Sequence, residues 1–277
     1  MRIKIIVSIL IGFVIVSCKN EKQSINKQTG TEAIEVTTHK FVNKGHEIVY
    51  NMVQKVGDLN KLLDKKNVIY TYTYQTPDGK MDISEEKYIF SGELSYGAYH
   101  KHERTLPNLE GLIEQGYDGN EYWLKHNGEI INDKELLKAV AFNRPTNFYW
   151  FTMMQKLLDK GLYYEFLEEK TIDGLKYDVV KVTFDSKDDK PKDIYQLYIN
   201  KETSLVDQFL FTVVDFGKTE PFLMKLEYEE IEGLLIPTKR KYKNANWEAE
   251  VTNEPWILVN WSAIKFNNDL TKADFKK

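Results

Sequence analysis

The chain has a single cysteine in 277 residues, so no intrachain disulfide can form and stability rests on packing. Histidine is also scarce, at five, and no His-Glu-x-x-His run is present, which removes the commonest zinc-hydrolase signature. Glycine is dispersed at turns. It builds neither a Gly-x-Ser-x-Gly elbow nor a phosphate-cradling loop. Basic residues are not in excess: 38 Lys and Arg stand against 42 Asp and Glu, a net charge of −4. That balance argues against nucleic acid, which needs a basic stripe. Long apolar runs are absent except at the N-terminus, and that run is shorter than the roughly 20 residues a spanning helix needs.

The N-terminal run has its own logic. Arg2 and Lys4 give a basic start, and Ile5 to Val16 is apolar apart from Ser8 and Gly12. Ile15-Val16-Ser17-Cys18 closes it. A positive end, a short apolar middle and a small residue before the cut is the layout of a secretory signal. The closing four residues resemble the lipobox of bacterial lipoproteins. The resemblance implies cleavage before Cys18 and acylation of that cysteine, palmitate being the type of chain added. A plain secretory signal with a chance cysteine is the alternative. The expected organisation is a signal peptide over 1–17, a flexible tether over 18–38 and one folded domain over 39–277. The tether is polar, with Lys19-Asn20-Glu21-Lys22 directly after the cysteine. Losing Arg2 and Lys4 moves the net charge from −4 to −6. Acyl chains rather than a helix then hold the protein on a membrane. The location implied is the cell envelope, at the periplasmic face of the outer membrane.

Periodicity predicts two short helices first. Ile48, Val49, Met52, Val53 and Val56 recur at helical spacing after Phe41. Gly57 suits a stop, and Asp58 caps a second helix carrying Leu59, Leu62 and Leu63. At Val68 the period changes to two, with Val68, Tyr70, Tyr72 and Tyr74 on one side. Pro77-Asp78-Gly79 turns the chain into a return over Met81 to Ser91. Leu94 to His102, Glu121 to His126 and Glu129 to Ile131 read as strands, the last pair joined by Asn127-Gly128. The middle is helical. Asp133 caps a run with Leu136, Leu137, Val140 and Ala141, and Arg144-Pro145 is expected to break it. A second helix follows Thr146 and ends at Gly161. The remainder predicts eight antiparallel strands: 162–170, 175–185, 193–200, 204–214, 222–230, 234–242, 248–252 and 257–266. The fold class expected is mainly β (α+β), a single large antiparallel half-open barrel with helices lidding its concave face.

What is abundant is aromatic: 17 Tyr, 14 Phe and 5 Trp. A curved sheet encloses an interior that either side chains or a ligand must fill. The helix bearing Phe148, Trp150, Phe151, Met154 and Leu158 is apolar around more than half its circumference, too much for a solvent-facing helix. Aromatic and methionine side chains suit adaptable contact with a flexible apolar ligand. These five, with Tyr70, Tyr72, Phe90, Trp123, Met224 and Tyr228 from strands, are the candidate hydrophobic-ligand residues. The competing reading is that they complete a core.

Three stretches resemble LolA/LolB-type lipoprotein carriers. Tyr117-Asp118-Gly119-Asn120-Glu121-Tyr122-Trp123 is similar to their aspartate-glycine turn and following tryptophan. Tyr198-Ile199-Asn200-Lys201-Glu202-Thr203-Ser204-Leu205-Val206 resembles a strand-turn-strand, with Asn200 where aspartate is common. Glu230-Ile231-Glu232-Gly233-Leu234-Leu235-Ile236-Pro237 resembles a strand pair of the same superfamily. The resemblance implies an unclosed LolA-like barrel whose helices lid an apolar cavity that binds lipid or acyl chains without chemistry. It also implies no cofactor. A shuttling carrier of that family is soluble, whereas Cys18 implies an anchor, so a membrane-fixed acceptor or lipid binder is the expectation. The partners expected are a lipid or acyl chain, the membrane through the acyl anchor and an envelope protein, with the chain itself a monomer. A filled barrel meeting a protein partner is the second reading.

No catalytic constellation emerges. His100 and His102 fall on one side of a strand, and Glu103 and His126 add ligands only if their strands are neighbours. Solvent-facing histidines are the commoner outcome, and no metal site is expected. Glu168-Glu169 and Glu229-Glu230 are adjacent on strands, so each pair faces opposite sides and makes a poor acid/base couple. Asp188-Asp189 reads as a loop.

Overall fold

The computed structural model describes residues 39–186, 191–214 and 217–277. The expected lipobox, Cys18, the expected tether and the expected Asp188-Asp189 loop lie outside them. Phe41–Lys277 forms one compact unit.

Two helices open it. α1 (Lys44–Val56) starts at Asn43, whose side chain accepts from His46 N, and buries Val49, Met52, Val53 and Val56. Gly57 follows at φ 91°, a left-handed conformation that suits glycine and ends the helix. α2 (Leu59–Asp64) is capped by Asp58, whose side chain accepts from Lys61 N.

Six strands follow: β1 (Asn67–Gln75), β2 (Met81–Ile89), β3 (Leu94–His102), β4 (Ile113–Tyr117), β5 (Tyr122–His126) and β6 (Glu129–Ile131). After α3 (Lys134–Lys156) come seven more: β7 (Leu162–Ile172), β8 (Leu175–Phe184), β9 (Ile194–Asn200), β10 (Val206–Val213), β11 (Lys218–Ile231), β12 (Leu234–Asn244) and β13 (Ile257–Phe266). A 3₁₀ turn at Lys272–Phe275 ends the chain. All thirteen strands form one sheet in the order β6-β5-β4-β3-β2-β1-β13-β12-β11-β10-β9-β8-β7. The first meander runs outward from β1 to the edge at β6. The second starts at the opposite edge, β7, and returns until β13 pairs with β1, Val68 opposite Phe266. Every pairing is antiparallel, and β6 and β7 do not close on each other. This is an open β-barrel.

The topology dictates what α3 does. It must carry the chain from one edge of the sheet to the other, and its 23 residues extend about 35 Å at 1.5 Å per residue. Val140, Arg144, Phe148 and Phe151 recur every three or four positions and form its buried stripe. Its N-terminal part packs with Tyr99, Ile113 and Leu124. Phe148 and Phe151 pack with Tyr70, Tyr88, Phe90 and Trp261. Met153, Met154 and Leu157 pack with α1 and the inner face of β8 to β11.

Three expectations need correction. α3 does not break at Arg144-Pro145, although Pro145 removes one ladder hydrogen bond. Tertiary contacts on both sides outweigh that loss, since Val140 and Phe148 are buried and Arg144 is pinned to Glu86. Residues 248–252 are not a strand. They belong to a loop with a lone bridge, Ala245 to Val251. Trp247 and Trp256 from this loop cover Tyr177, Val179, Tyr198, Leu210 and Leu223 on the outer face of the sheet. β4 is a strand where none was expected. Its Glu114-Gln115-Gly116 centre carries no alternating apolar signal, and it is recruited by pairing with β3 and β5.

The edge strand β7 is guarded by charge. Glu165 pairs with Lys181 at 3.7 Å, and Glu169 pairs with Lys201 at 2.9 Å and with Lys44 at 3.9 Å. The Asn43 side-chain amide donates to Tyr164 O at 2.8 Å.

Candidate functional site

Between the middle of α3 and the inner face of β1, β13, β12, β11 and β10 lies a cavity of about 350 Å³. Asn143, Asn147 and Trp150 face it from α3 at helical spacing. Tyr72 and Tyr74 come from β1, Trp261 from β13, Arg240 and Tyr242 from β12, Met224 from β11 and Phe211 from β10. Strand alternation explains the set. In the second half of β12, Thr238 and Arg240 are buried while Lys239 and Lys241 are exposed, so alternate residues there point inward.

The wall is aromatic and partly locked by hydroxyls. Trp150 stands edge-on to Phe211 with ring centroids 5.2 Å apart. The Tyr74 and Tyr242 hydroxyls meet at 2.6 Å across β13. Burial pushes the Tyr72 and Tyr242 hydroxyls well above the ordinary tyrosine pKa, so both stay neutral. Arg104 lies at the mouth, its guanidinium 4.2 Å from the centre of the Tyr74 ring. Its Nε is 3.4 Å from the buried carboxylate of Asp82.

Arg240 is the unusual group. It is only 4% exposed. Its Nε donates to Pro237 O at 3.1 Å and its Nη2 to Trp150 O at 2.8 Å. The guanidinium lies 3.8 Å from the centre of the Trp261 ring. Among the described residues no carboxylate pairs with it. Burial lowers its pKa to about 10, so it stays charged at neutral pH.

The eleven candidate side chains divide. Tyr72, Trp150 and Met224 line the cavity. Tyr70, Phe90, Phe148 and Phe151 form the adjacent core, where Tyr70 stacks on Phe151 at 4.9 Å. Met154 is in the core shared with α1, and Leu158 packs against that core from the surface. Tyr228 is half-buried, and its hydroxyl donates to Val206 O at 3.1 Å. Trp123 stands apart from the cavity, with its Nε1 donating to Phe275 O at 2.7 Å. Sequence reasoning missed Arg240, Trp261, Tyr242 and the two asparagines. The available signal was an arginine in register with Leu234, Ile236 and Tyr242 along β12.

The histidines do other work. His102 Nε2 bonds Gly111 O at 2.8 Å, and His126 Nε2 bonds Glu110 O at 2.5 Å, with proton placement set by tautomer. Both tie down the loop between β3 and β4. A more open depression of about 410 Å³ lies beside His100 and His102. We favour the α3 cavity as the candidate site because it is more enclosed, and withdrawal from water gives an apolar ligand its binding energy. Among the described residues no three His, Cys, Asp or Glu side chains gather as metal ligands would.

No protein-family model and no curated protein sequence matches the chain. Solved structures do. A DUF1329 family protein from Desulfovibrio piger is 13% identical with a TM-score of 0.50, over 84% of this chain and 95% of that one. A domain assigned to outer membrane lipoprotein sorting, from Vibrio parahaemolyticus, is 12% identical with a TM-score of 0.50, over 84% and 96%. A LolA superfamily protein from Nitrosomonas europaea is 14% identical over 80% and 98%, with a TM-score of 0.44. At these identities the likeness to the first two concerns the fold alone.

Proposed function

We propose that this chain is a non-catalytic lipoprotein of the bacterial cell envelope that binds a lipid or acyl chain between α3 and the inner face of the sheet. The observation that carries the reading is the cavity itself. It lies beneath the helix whose aromatic excess the sequence singled out, and it is walled by Tyr72, Trp150, Phe211 and Met224. An apolar ligand there gains about 25 cal/mol for each Å² of surface withdrawn from water. A sorting domain on this fold is described for Vibrio parahaemolyticus, which agrees with lipid handling. Anchoring through acylated Cys18, at the periplasmic face of the outer membrane, belongs to the same proposal and rests on the lipobox pattern. The anchor fits a fixed acceptor or binder better than a free shuttle.

The test is native mass spectrometry of the full chain purified from bacterial membranes, followed by organic extraction. The expected result is a stoichiometric lipid or fatty acid that is lost in a Trp150→Asp variant with a cooperative thermal melt. A chain that carries no ligand and takes none up overturns the proposal in favour of a filled barrel with a protein partner.

A further inference from the structure

Arg240 places an uncompensated charge in an aromatic wall. An isolated buried cation is costly unless paired. The face of Trp261 at 3.8 Å offsets part of that cost through cation–π attraction. Two of the guanidinium's five N–H donors are taken, by Pro237 O and Trp150 O. The rest have no acceptor among the described residues. Trp261, in the same wall, has a buried Nε1 donor with no partner. The contrast with Arg144 is direct, because that buried guanidinium is matched by Glu86 at 2.8 Å. Arg104, the other cation lining the cavity, is already engaged by Asp82 and is 42% exposed. The cavity therefore offers one unspent positive charge beside an apolar wall.

We propose that the cavity takes a single-chain fatty acid, its carboxylate paired with Arg240 and its chain laid along Tyr72, Trp150, Phe211 and Met224. The proposal rests on the lipid-binding reading and names the head group. Charge balance selects the class. One guanidinium neutralises one carboxylate, whereas a dianionic phosphate monoester leaves a second charge unmatched in a wall of neutral tyrosines. Size selects a single chain, since 350 Å³ is at the small end of the roughly 300–1,000 Å³ typical of ligand pockets. A planar guanidinium also matches a carboxylate with two parallel hydrogen bonds.

The experiment uses the full chain in phosphatidylcholine nanodiscs near neutral pH. A diazirine-bearing fatty acid and its methyl ester are photo-crosslinked in parallel, and the labelled peptides are read by mass spectrometry. The expected result is labelling of α3 and β10 to β13, with the acid labelling roughly tenfold more than the ester, as a charge-assisted pair provides. Arg240→Gln removes that preference, so that acid and ester label alike, and dodecanoate competes better than dodecyl phosphate. Equal labelling by acid and ester in the unaltered chain overturns the ion pair while the cavity reading stands, and it decides the matter even if Arg240→Gln fails to fold. Stronger competition by dodecyl phosphate overturns the carboxylate assignment. Absence of cavity labelling by either probe overturns this inference and the lipid-binding reading together.

Discussion

Arg144 on α3 and Glu86 on β2 form a bidentate ion pair from which water is excluded. Nη1 lies 2.8 Å from Oε2 and Nη2 lies 3.2 Å from Oε1, with both side chains 0% exposed. Tyr88 and Ser84 hydroxyls donate to the same carboxylate, and Arg144 Nη2 donates to the Tyr99 hydroxyl. Removing one partner strands the other. We expect Glu86→Gln to destabilise the chain by about 3–5 kcal/mol, read as a fall in the urea midpoint. A loss under about 1 kcal/mol would mean that the pair contributes no more than a surface salt bridge.

Gly97 on β3 makes room for that pair. A Cβ built there stands 2.5 Å from Arg144 Nη1 and 2.8 Å from Glu86 Oε1. Gly97→Ala is expected to cost about 1–3 kcal/mol by overpacking. Because the three residues share one site, its cost in a Glu86→Gln background should differ from its cost alone. Simple additivity in the double mutant would separate the glycine from the pair.

Trp123 acts as a clamp on the C-terminus. Gly116 lets its ring lie against β4, since a Cβ there would come within 2.2 Å of the indole. Its Nε1 holds Phe275 O. Trp123→Phe should cost about 1 kcal/mol for the lost hydrogen bond and raise hydrogen exchange in residues 272–277. Ligand retention should not change. A loss of retained lipid in this variant would return Trp123 to the binding site.

Alkaline stability follows from buried phenols. Burial raises the pKa of Tyr70, Tyr88 and Tyr242 well above the ordinary value of 10.0. A raised folded-state pKa gives stability that is intact below the unfolded value and is lost as pH climbs past it. Unfolding free energy should therefore fall from about pH 10 upward, by as much as about 1.4 kcal/mol per pH unit for each such tyrosine. Tyr70→Phe should make that slope shallower, and an unchanged slope would show that Tyr70 already ionises in the folded chain.

Much of this architecture was legible because it is local. Period-two alternation marked β1, the Asn127-Gly128 turn marked the β5–β6 hairpin, and Asp58 and Asp133 marked helix starts. Whatever depends on distant partners was not. Pro145 signals a break to any local reading, and α3 continues through partners far away in sequence, Glu86 at a separation of 58 residues among them. β4 is a strand because β3 and β5 flank it. The site shows the same division. The sequence located the aromatic helix over the cavity, but separating the lining Trp150 from the core Phe148 and Phe151 requires knowing which side of α3 meets the sheet. Arg240 was hidden for the opposite reason: basic residues on strands are ordinarily solvated, and its own neighbours Lys239 and Lys241 are.

The ion pairs along β7 are too exposed to matter much for melting. Their importance is colloidal. β7 ends the sheet; the Asn43 amide already occupies Tyr164 O on it, and side-chain charge discourages the rest of such an edge from pairing with another molecule. Glu165, Glu169 and their lysines thus make this edge costly to bury against another strand, because paired charges would have to leave water, while leaving thermal stability almost unaltered.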